Sequence, residues 1–289
     1  MKIKDYVTLG NLLGGFGAMV ALIHHQFDLA CWLLFVAYAF DVADGPVARL
    51  TKQFDTFGGH FDTVCDFVTN SVTSSLMVYY VYYYTAQTPW WFAFAVAAFP
   101  ISTGTIRQAR GSDRPLSYPC YWLGVPRPVS AFFIVALLQS QLAHWMTIPG
   151  WQGGLALGMC SALIVGVSMA HLSTFPFVNH VQRRWMGALR FGKAWFLVGT
   201  PISAVVGWVV WDYPKLFFDW LLFSMCAYLF VSWTQIPKTD WVRIRRYLNG
   251  GPIILPLVHR SSTWRPTSAI PAFDPVLPDP AGSTPTSGA

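Results

Sequence analysis

Residues 41–66 read DVADGPVARLTKQFDTFGGHFDTVCD, and they place Asp41, Asp44, Asp62 and Asp66 in one short stretch of an otherwise apolar chain. On helices, Asp41 and Asp44 are three residues apart and Asp62 and Asp66 are four apart, so each pair shares a helix face. A hairpin between the two helices brings all four carboxylates together. Because they repel one another, they require cations, and an all-oxygen set favours Mg²⁺, Mn²⁺ or Ca²⁺ over zinc.

Small residues accompany these aspartates on the same helix faces. Gly45 and Ala48 continue the face of Asp41 and Asp44, and Gly58 precedes Asp62 by one turn. A surface with so little side chain leaves room for a large, flat ligand group next to the bound metal.

The composition is that of a membrane protein. The chain is 54% hydrophobic and 11% charged, with a mean hydropathy of +0.43, whereas soluble domains carry about 25% charged residues. The net charge of +6 comes from basic residues dispersed between apolar runs. Orientation in a bilayer explains this pattern better than nucleic-acid binding, so we expect no nucleic-acid partner.

Eight apolar runs predict an all-α, polytopic integral membrane bundle with about eight transmembrane helices. A bilayer core of about 30 Å requires about 20 helical residues, and each run approaches that length. The predicted spans are residues 7–24, 29–49, 61–85, 89–107, 127–147, 153–175, 193–212 and 216–235.

The basic residues predict the orientation. With eight spans, every Lys and Arg except Lys215 falls on the side that holds both termini and the four aspartates. The positive-inside rule makes this side cytoplasmic. We therefore expect an integral protein of a bacterial inner membrane, with both termini and the active site in the cytoplasm.

Composition also divides the chain into three parts. Residues 1–236 form the predicted transmembrane domain, and residues 237–260 form a basic juxtamembrane segment that we expect to lie against anionic headgroups. Residues 261–289 are rich in Pro, Ser and Thr and are predicted to be a disordered tail.

The acidic stretch resembles a known family signature. DVADGPVAR, eight further residues and GGHFDTVCD are similar to the pattern DxxDGxxAR–GxxxDxxxD of the CDP-alcohol phosphotransferases. The residues at its fixed positions are Asp41, Asp44, Gly45, Ala48, Arg49, Gly58, Asp62 and Asp66.

This resemblance implies a chemistry and a set of roles. Members of the family transfer a substituted phosphate from a CDP-linked donor to an alcohol and release CMP, using Mg²⁺ or Mn²⁺, commonly two ions per site. Asp41, Asp44 and Asp62 would be metal ligands, while Asp66 would contact metal and act as the general base. The residues implied at the nucleotide are Gly45, Ala48, Arg49 and Gly58.

Further matches favour one branch of the family, the phosphatidylserine synthases. TLGNLLGGFGAM at 8–19, IRQAR at 106–110 and YWLGVPRPVSAF at 121–132 are similar to elements of that branch, and SMAHLSTFPF at 168–177 is a weaker match. The resemblance implies Thr8 and Asn11 near the nucleotide, CDP-diacylglycerol as donor and L-serine as acceptor.

The chain departs from the pattern of this branch after Arg110 and after Asp66. Inositol phosphate, glycerol phosphate and choline remain alternative acceptors.

Three arginines are candidates for binding the donor phosphate or an acceptor carboxylate. Arg107, Arg110 and Arg127 fall on the predicted cytoplasmic side, the same side as the aspartates, and a guanidinium fork suits both anions. By resemblance alone, we also expect a homodimer.

The alternative functional class is a cation-coupled transporter, because intramembrane carboxylates also line ion pathways.

Overall fold

The computed structural model describes residues 2–51, 56–113, 117–118, 121–178, 198–210, 213 and 215–250. The predicted tail at 261–289 and the end of the predicted basic segment lie outside these residues. Most of the described chain is helical. The helices are α1 Ile3–Ile23, α2 Phe27–Thr51, α3 Thr56–Phe67, α4 Ser74–Tyr80, α5 Trp90–Asp113, α6 Arg127–Gln139, α7 Gln141–Trp145, α8 Trp151–Ala170, α9 Val198–Val210, α10 Leu216–Val231 and α11 Lys238–Leu248.

Each of the eight predicted spans is mostly helical over the part that is described, although a bend at Ser140 interrupts the span 127–147 and residues 171–175 of the span 153–175 are not helical. The π-helical segment Val68–Thr73 joins α3 to α4, and a second, Val81–Thr85, extends α4, so residues 56–85 form one continuous helical stretch. Among the described helices, α1 and α8 are both long and apolar enough to cross a membrane. Eight membrane crossings therefore stay a prediction, while the helical architecture itself is present.

The prediction of an all-α fold was wrong in one respect, because the structure contains a small antiparallel sheet. Its strands are β1 Ser117–Tyr118, β2 Tyr121–Leu123 and β3 Pro176–Val178, in the order β1-β2-β3. Runs of two or three residues show too little alternation to be recognised as strands. They form where the segment after α5 meets the segment after α8.

Close backbone contacts set the register of the first three long helices. A Cβ placed on Gly14 would lie 2.8 Å from the Cβ of Ala37 in α2, and one placed on Gly15 would lie 3.1 Å from the Cα of Thr69. Contacts this short require glycine, as in membrane helix pairs that pack through small residues. The first helix is thereby held against both helices that carry the aspartates.

The helical stretch widens into a π-helix at Val68, two residues after Asp66. Its residues Thr69, Asn70, Ser71 and Thr73 are buried. The hydroxyls of Thr69 and Thr73 donate to the carbonyls of Asn11 and Gly15, at 3.3 and 3.4 Å. π-Helical insertions frequently occur at functional sites, and this one turns the hydroxyls of Thr69 and Thr73 towards α1.

The final helix, α11, packs on the sheet and forms a second, smaller core with it. Asp240 is completely buried and accepts a 2.7 Å hydrogen bond from the hydroxyl of Tyr121 in β2. Arg243 lies 3.4 Å from the other carboxylate oxygen of Asp240. Apolar residues complete this core, namely Tyr118, Leu123, Val178, Ile236 and Ile244. Part of the predicted juxtamembrane segment is thus a folded element of the protein.

Replacing Tyr121 with Phe should destabilise this second core. The substitution removes a hydrogen-bond donor from a buried carboxylate, which typically costs about 1–3 kcal/mol. The expected result is a lower thermal unfolding midpoint for the purified protein. Tyr6→Phe is the control, because Tyr6 is 62% exposed. An equal midpoint for both variants would show that the bond to Asp240 contributes little.

Candidate active site

Three carboxylates converge between the C-terminal half of α2 and the C-terminal half of α3. One oxygen each from Asp41, Asp62 and Asp66 lies within 4.8 Å of the other two. The three residues are half-buried, so the cluster is shielded by the helices but accessible to a ligand. The predicted convergence of these residues is present in the structure.

The fourth predicted ligand, Asp44, lies beside this group. It is buried, and its carboxyl group is within hydrogen-bonding reach of Asp62. Asp41 and Asp66 are in similar reach of each other. The four acids therefore form two close pairs, which repel unless a proton or a cation lies between them.

The cluster fits a divalent cation. The described side chains place oxygen ligands of the kind that Mg²⁺, Mn²⁺ and Ca²⁺ prefer. Asp62 Oδ1 is buried and has no hydrogen-bond partner within the described parts of the chain, although such an atom normally has one. A cation bound by this oxygen would supply the missing interaction, so Asp41, Asp62 and Asp66 could hold a metal.

Two polar residues of α1 contact the aspartates directly. The hydroxyl of Thr8 donates to Asp44 at 3.0 Å, and the side-chain amide of Asn11 donates to Asp66 at 3.0 Å. Both residues are buried, and Asn11 Oδ1 has no partner among the described residues. The structure thus brings these predicted nucleotide residues to the acidic cluster, and their contact with a nucleotide stays a prediction.

The predicted small-residue surface lies next to the cluster. Ala48 and Gly58 are buried and Gly45 is half-buried. The side chain of Arg49 lies outside the described part of the structure. The backbone positions agree with a surface for a flat group, while nucleotide binding itself remains a prediction.

Among the three predicted arginines, Arg127 reaches the acidic cluster. Its guanidinium is 3.8 Å from Asp66 Oδ2, donates to Gln108 Oε1 at 2.5 Å and lies 3.5 Å from the carbonyl of Thr63. Arg127 is the first residue of α6. It therefore provides a positive charge beside the predicted general base.

The other two arginines bind backbone carbonyls instead. Arg107 donates to the carbonyls of Leu123 and His171, at 2.8 and 3.2 Å. Arg110 donates to the carbonyl of Leu172 at 2.7 Å. These bonds connect α5 to β2 and to the end of α8, and the predicted binding of anions by Arg107 and Arg110 stays a prediction.

The sequence did not identify three residues that surround Arg127. Gln108 accepts its guanidinium N–H, Ser130 donates to its carbonyl at 2.9 Å, and His171 lies 2.6 Å from the Ser130 hydroxyl. The fragments containing them did resemble elements of the family branch. Their side-chain roles depend on contacts between distant helices, which residue spacing does not show.

Comparisons with known proteins agree with this geometry. The family model for CDP-alcohol phosphatidyltransferases matches residues 1–169. The CDP-diacylglycerol–serine O-phosphatidyltransferases of Helicobacter pylori strains J99 and 26695 are 30% and 32% identical over 180 residues, covering 62% of this chain and 72% of each relative. The protein of that name from Bacillus subtilis is 27% identical over 136 residues, which cover 47% of this chain and 74% of the relative.

The match covers α1, the acidic hairpin and most of the helices through α8, so it includes the residues that form the cluster. The protein is therefore a member of the CDP-alcohol phosphatidyltransferase family, a family of membrane-associated transferases of phospholipid synthesis.

Proposed function

We propose that the protein transfers the phosphatidyl group of CDP-diacylglycerol to L-serine and releases CMP. The observation that carries this proposal is the position of Arg127 beside Asp66, at the edge of the acidic cluster. An acceptor that carries a carboxylate and a hydroxyl can bind Arg127 through the first and present the second to Asp66. The names of the relatives support serine as this acceptor.

The reaction forms one bond and breaks one bond. The serine hydroxyl oxygen attacks the phosphorus next to diacylglycerol, and the bond from that phosphorus to the oxygen of CMP breaks. The hydroxyl proton passes to the carboxylate of Asp66, and CMP leaves with the bond electrons. When bound, divalent ions would neutralise the diphosphate and the charge that develops on the leaving group.

The chain's own residues prepare Asp66 for this proton transfer. The amide of Asn11 fixes one carboxylate oxygen, and Arg127 lies near the other. Because both carboxylate oxygens of Asp66 have a neighbouring donor, the carboxylate loses less entropy when it reaches the reactive geometry. In the proposed site Asp41, Asp44 and Asp62 bind the metal, Asp66 also contacts it, and the surface formed by Gly45, Ala48 and Gly58 accommodates the nucleoside.

The proposed reaction takes place at the cytoplasmic leaflet, where a lipid-linked donor and a soluble acceptor meet. We place both termini and the cluster on this side, on the evidence of the basic residues. By resemblance to the family, we also propose a homodimer. Because the segment 237–260 is basic, we propose that it contacts anionic headgroups.

The purified protein should release CMP from CDP-diacylglycerol only when a divalent ion and L-serine are both present. The measurement is CMP release with Mg²⁺ or Mn²⁺, with EDTA as the control for metal dependence. Glycerol phosphate, inositol phosphate and choline are tested in parallel. Release with one of these and not with serine would disprove serine as the acceptor and retain the family chemistry, whereas no release with any acceptor would contradict the enzyme assignment.

Asp66→Asn and Asp41→Asn should have different effects. Loss of the general base should reduce turnover by at least about 100-fold, while CMP still binds in the presence of Mn²⁺. Loss of the ligand at Asp41 should weaken metal and CMP binding together. Turnover and CMP affinity are measured for each variant, and turnover at the wild-type level in both would refute the assigned roles.

Arg127→Gln should raise the KM for serine about tenfold or more, because a charge-assisted hydrogen bond contributes about 1.5–3 kcal/mol. The KM for CDP-diacylglycerol should change little. Lys215→Gln removes the same charge at the opposite predicted membrane face and is the control. If the KM for the donor rises and that for serine does not, Arg127 binds the donor phosphate instead.

A further inference from the structure

A buried histidine outside the acidic cluster is connected to α6 by a short hydrogen bond. His171 follows α8 and is 3% exposed, and its Nε2 lies 2.6 Å from the hydroxyl oxygen of Ser130, which is 2% exposed. Burial of two polar side chains in direct contact requires that their hydrogen bonds be satisfied. The pair thus connects two helices that are distant in the sequence.

One tautomer of His171 connects the imidazole to Arg127. With a hydrogen on Nε2, the ring donates to Ser130, and Ser130 donates its own hydroxyl hydrogen to the carbonyl of Arg127 at 2.9 Å. Nδ1 is then the acceptor nitrogen, and the Thr103 hydroxyl of α5, 3.3 Å away, shares its one hydrogen between Nδ1 and the carbonyl of Phe99 at 2.8 Å. This tautomer gives a hydrogen-bonded chain from His171 through Ser130 to the backbone of Arg127.

Backbone hydrogen bonds also connect the segment before α6 to the end of α8, next to these side chains. The N–H groups of Gly124 and Val125, just before α6, donate to the carbonyls of Phe175 and Ala170 at 2.8 and 3.2 Å. Gly124 has φ +74°, and a Cβ there would lie 2.7 Å from Arg107 Nη1, so glycine is needed both for the conformation and for the space. The approach to α6 and the end of α8 therefore form one connected unit.

This unit determines where the Arg127 guanidinium lies. Arg127 begins α6, and its side chain extends from the turn that Ser130 holds towards Asp66 and Gln108. A change of about 1 Å at the start of α6 would move the guanidinium away from the carboxylate, and displacements of this size can reduce enzyme rates by about 100-fold.

We infer that His171 is a positioning residue for the acceptor site, acting through Ser130 on Arg127. This inference rests on the proposed function, because it assumes that Arg127 binds the acceptor. His171 itself contacts Ser130 and Thr103 rather than the aspartates, so its role is to orient and not to transfer a proton to the substrate.

The test compares four variants in the purified full-length protein: His171→Phe, His171→Gln, Ser130→Ala and the double variant His171→Phe/Ser130→Ala. Phe occupies the space of the imidazole without an N–H, whereas the side-chain amide of Gln offers an N–H near the position of Nε2. Each variant is assayed for the KM of serine, the KM of CDP-diacylglycerol and the thermal unfolding midpoint.

We expect His171→Phe and Ser130→Ala each to raise the KM for serine about tenfold, with the KM for CDP-diacylglycerol within about twofold of the wild-type value. His171→Gln should recover most of the loss. Because the two residues act in one chain, the double variant should be no worse than the more affected single variant.

Tyr82→Phe and Ser161→Ala are matched controls. They remove a 3.0 Å hydroxyl pair between the helical stretch after Asp66 and α8, and no hydrogen bond in the described parts of the chain connects this pair to Arg127. These variants should lower the unfolding midpoint and leave both KM values unchanged.

Several results would overturn the role of His171. These are equal rises in both KM values, additive effects in the double variant, or a loss of stability with unchanged KM for serine. If the wild-type protein releases CMP with serine and the variants give any of these results, the inference on His171 fails alone. If the wild-type protein releases no CMP with serine, the proposed function fails with it.

Discussion

Electrostatic repulsion among four carboxylates is the constraint on which the site depends. Asp41 and Asp66 are in close reach of each other, as are Asp44 and Asp62, at one end of the helical hairpin. Such a cluster lowers stability unless cations compensate it. The buried, unpartnered oxygen of Asp62 shows that the described protein groups leave part of this requirement unmet, and a divalent ion with a diphosphate is a suitable complement.

Side chains of two other helices, α1 and α6, hold these acids in place. Glycines of α1 allow that helix to pack against α2 and the π-helical segment, which brings Thr8 and Asn11 within 3.0 Å of Asp44 and Asp66. Arg127 approaches from α6, and α6 is in turn held by Ser130 and His171. Asn11 and Arg127 contact the two different oxygens of Asp66, at 3.0 and 3.8 Å, so this carboxylate has a defined orientation.

Several parts of the site were predictable because they lie on regular helices. The spacing of Asp41, Asp44, Asp62 and Asp66 follows the helical period, so their convergence required only that the two helices form a hairpin. The three strands were not predictable, because each is two or three residues long and forms through pairing between segments far apart in the chain. The same holds for Asp240, an aspartate in a basic segment, which the fold buries against Tyr121.

The amino-acid sequence by itself determined the helical class, the acidic cluster and the family, because all three depend on apolar length and on local spacing along helices. The tertiary structure decided which of the three arginines contacts the acidic cluster. Arg127 reaches Asp66, whereas Arg107 and Arg110 bind backbone carbonyls. The physical reason is that the surroundings of a guanidinium depend on how α5, α6 and the end of α8 pack together, and no local pattern encodes that packing.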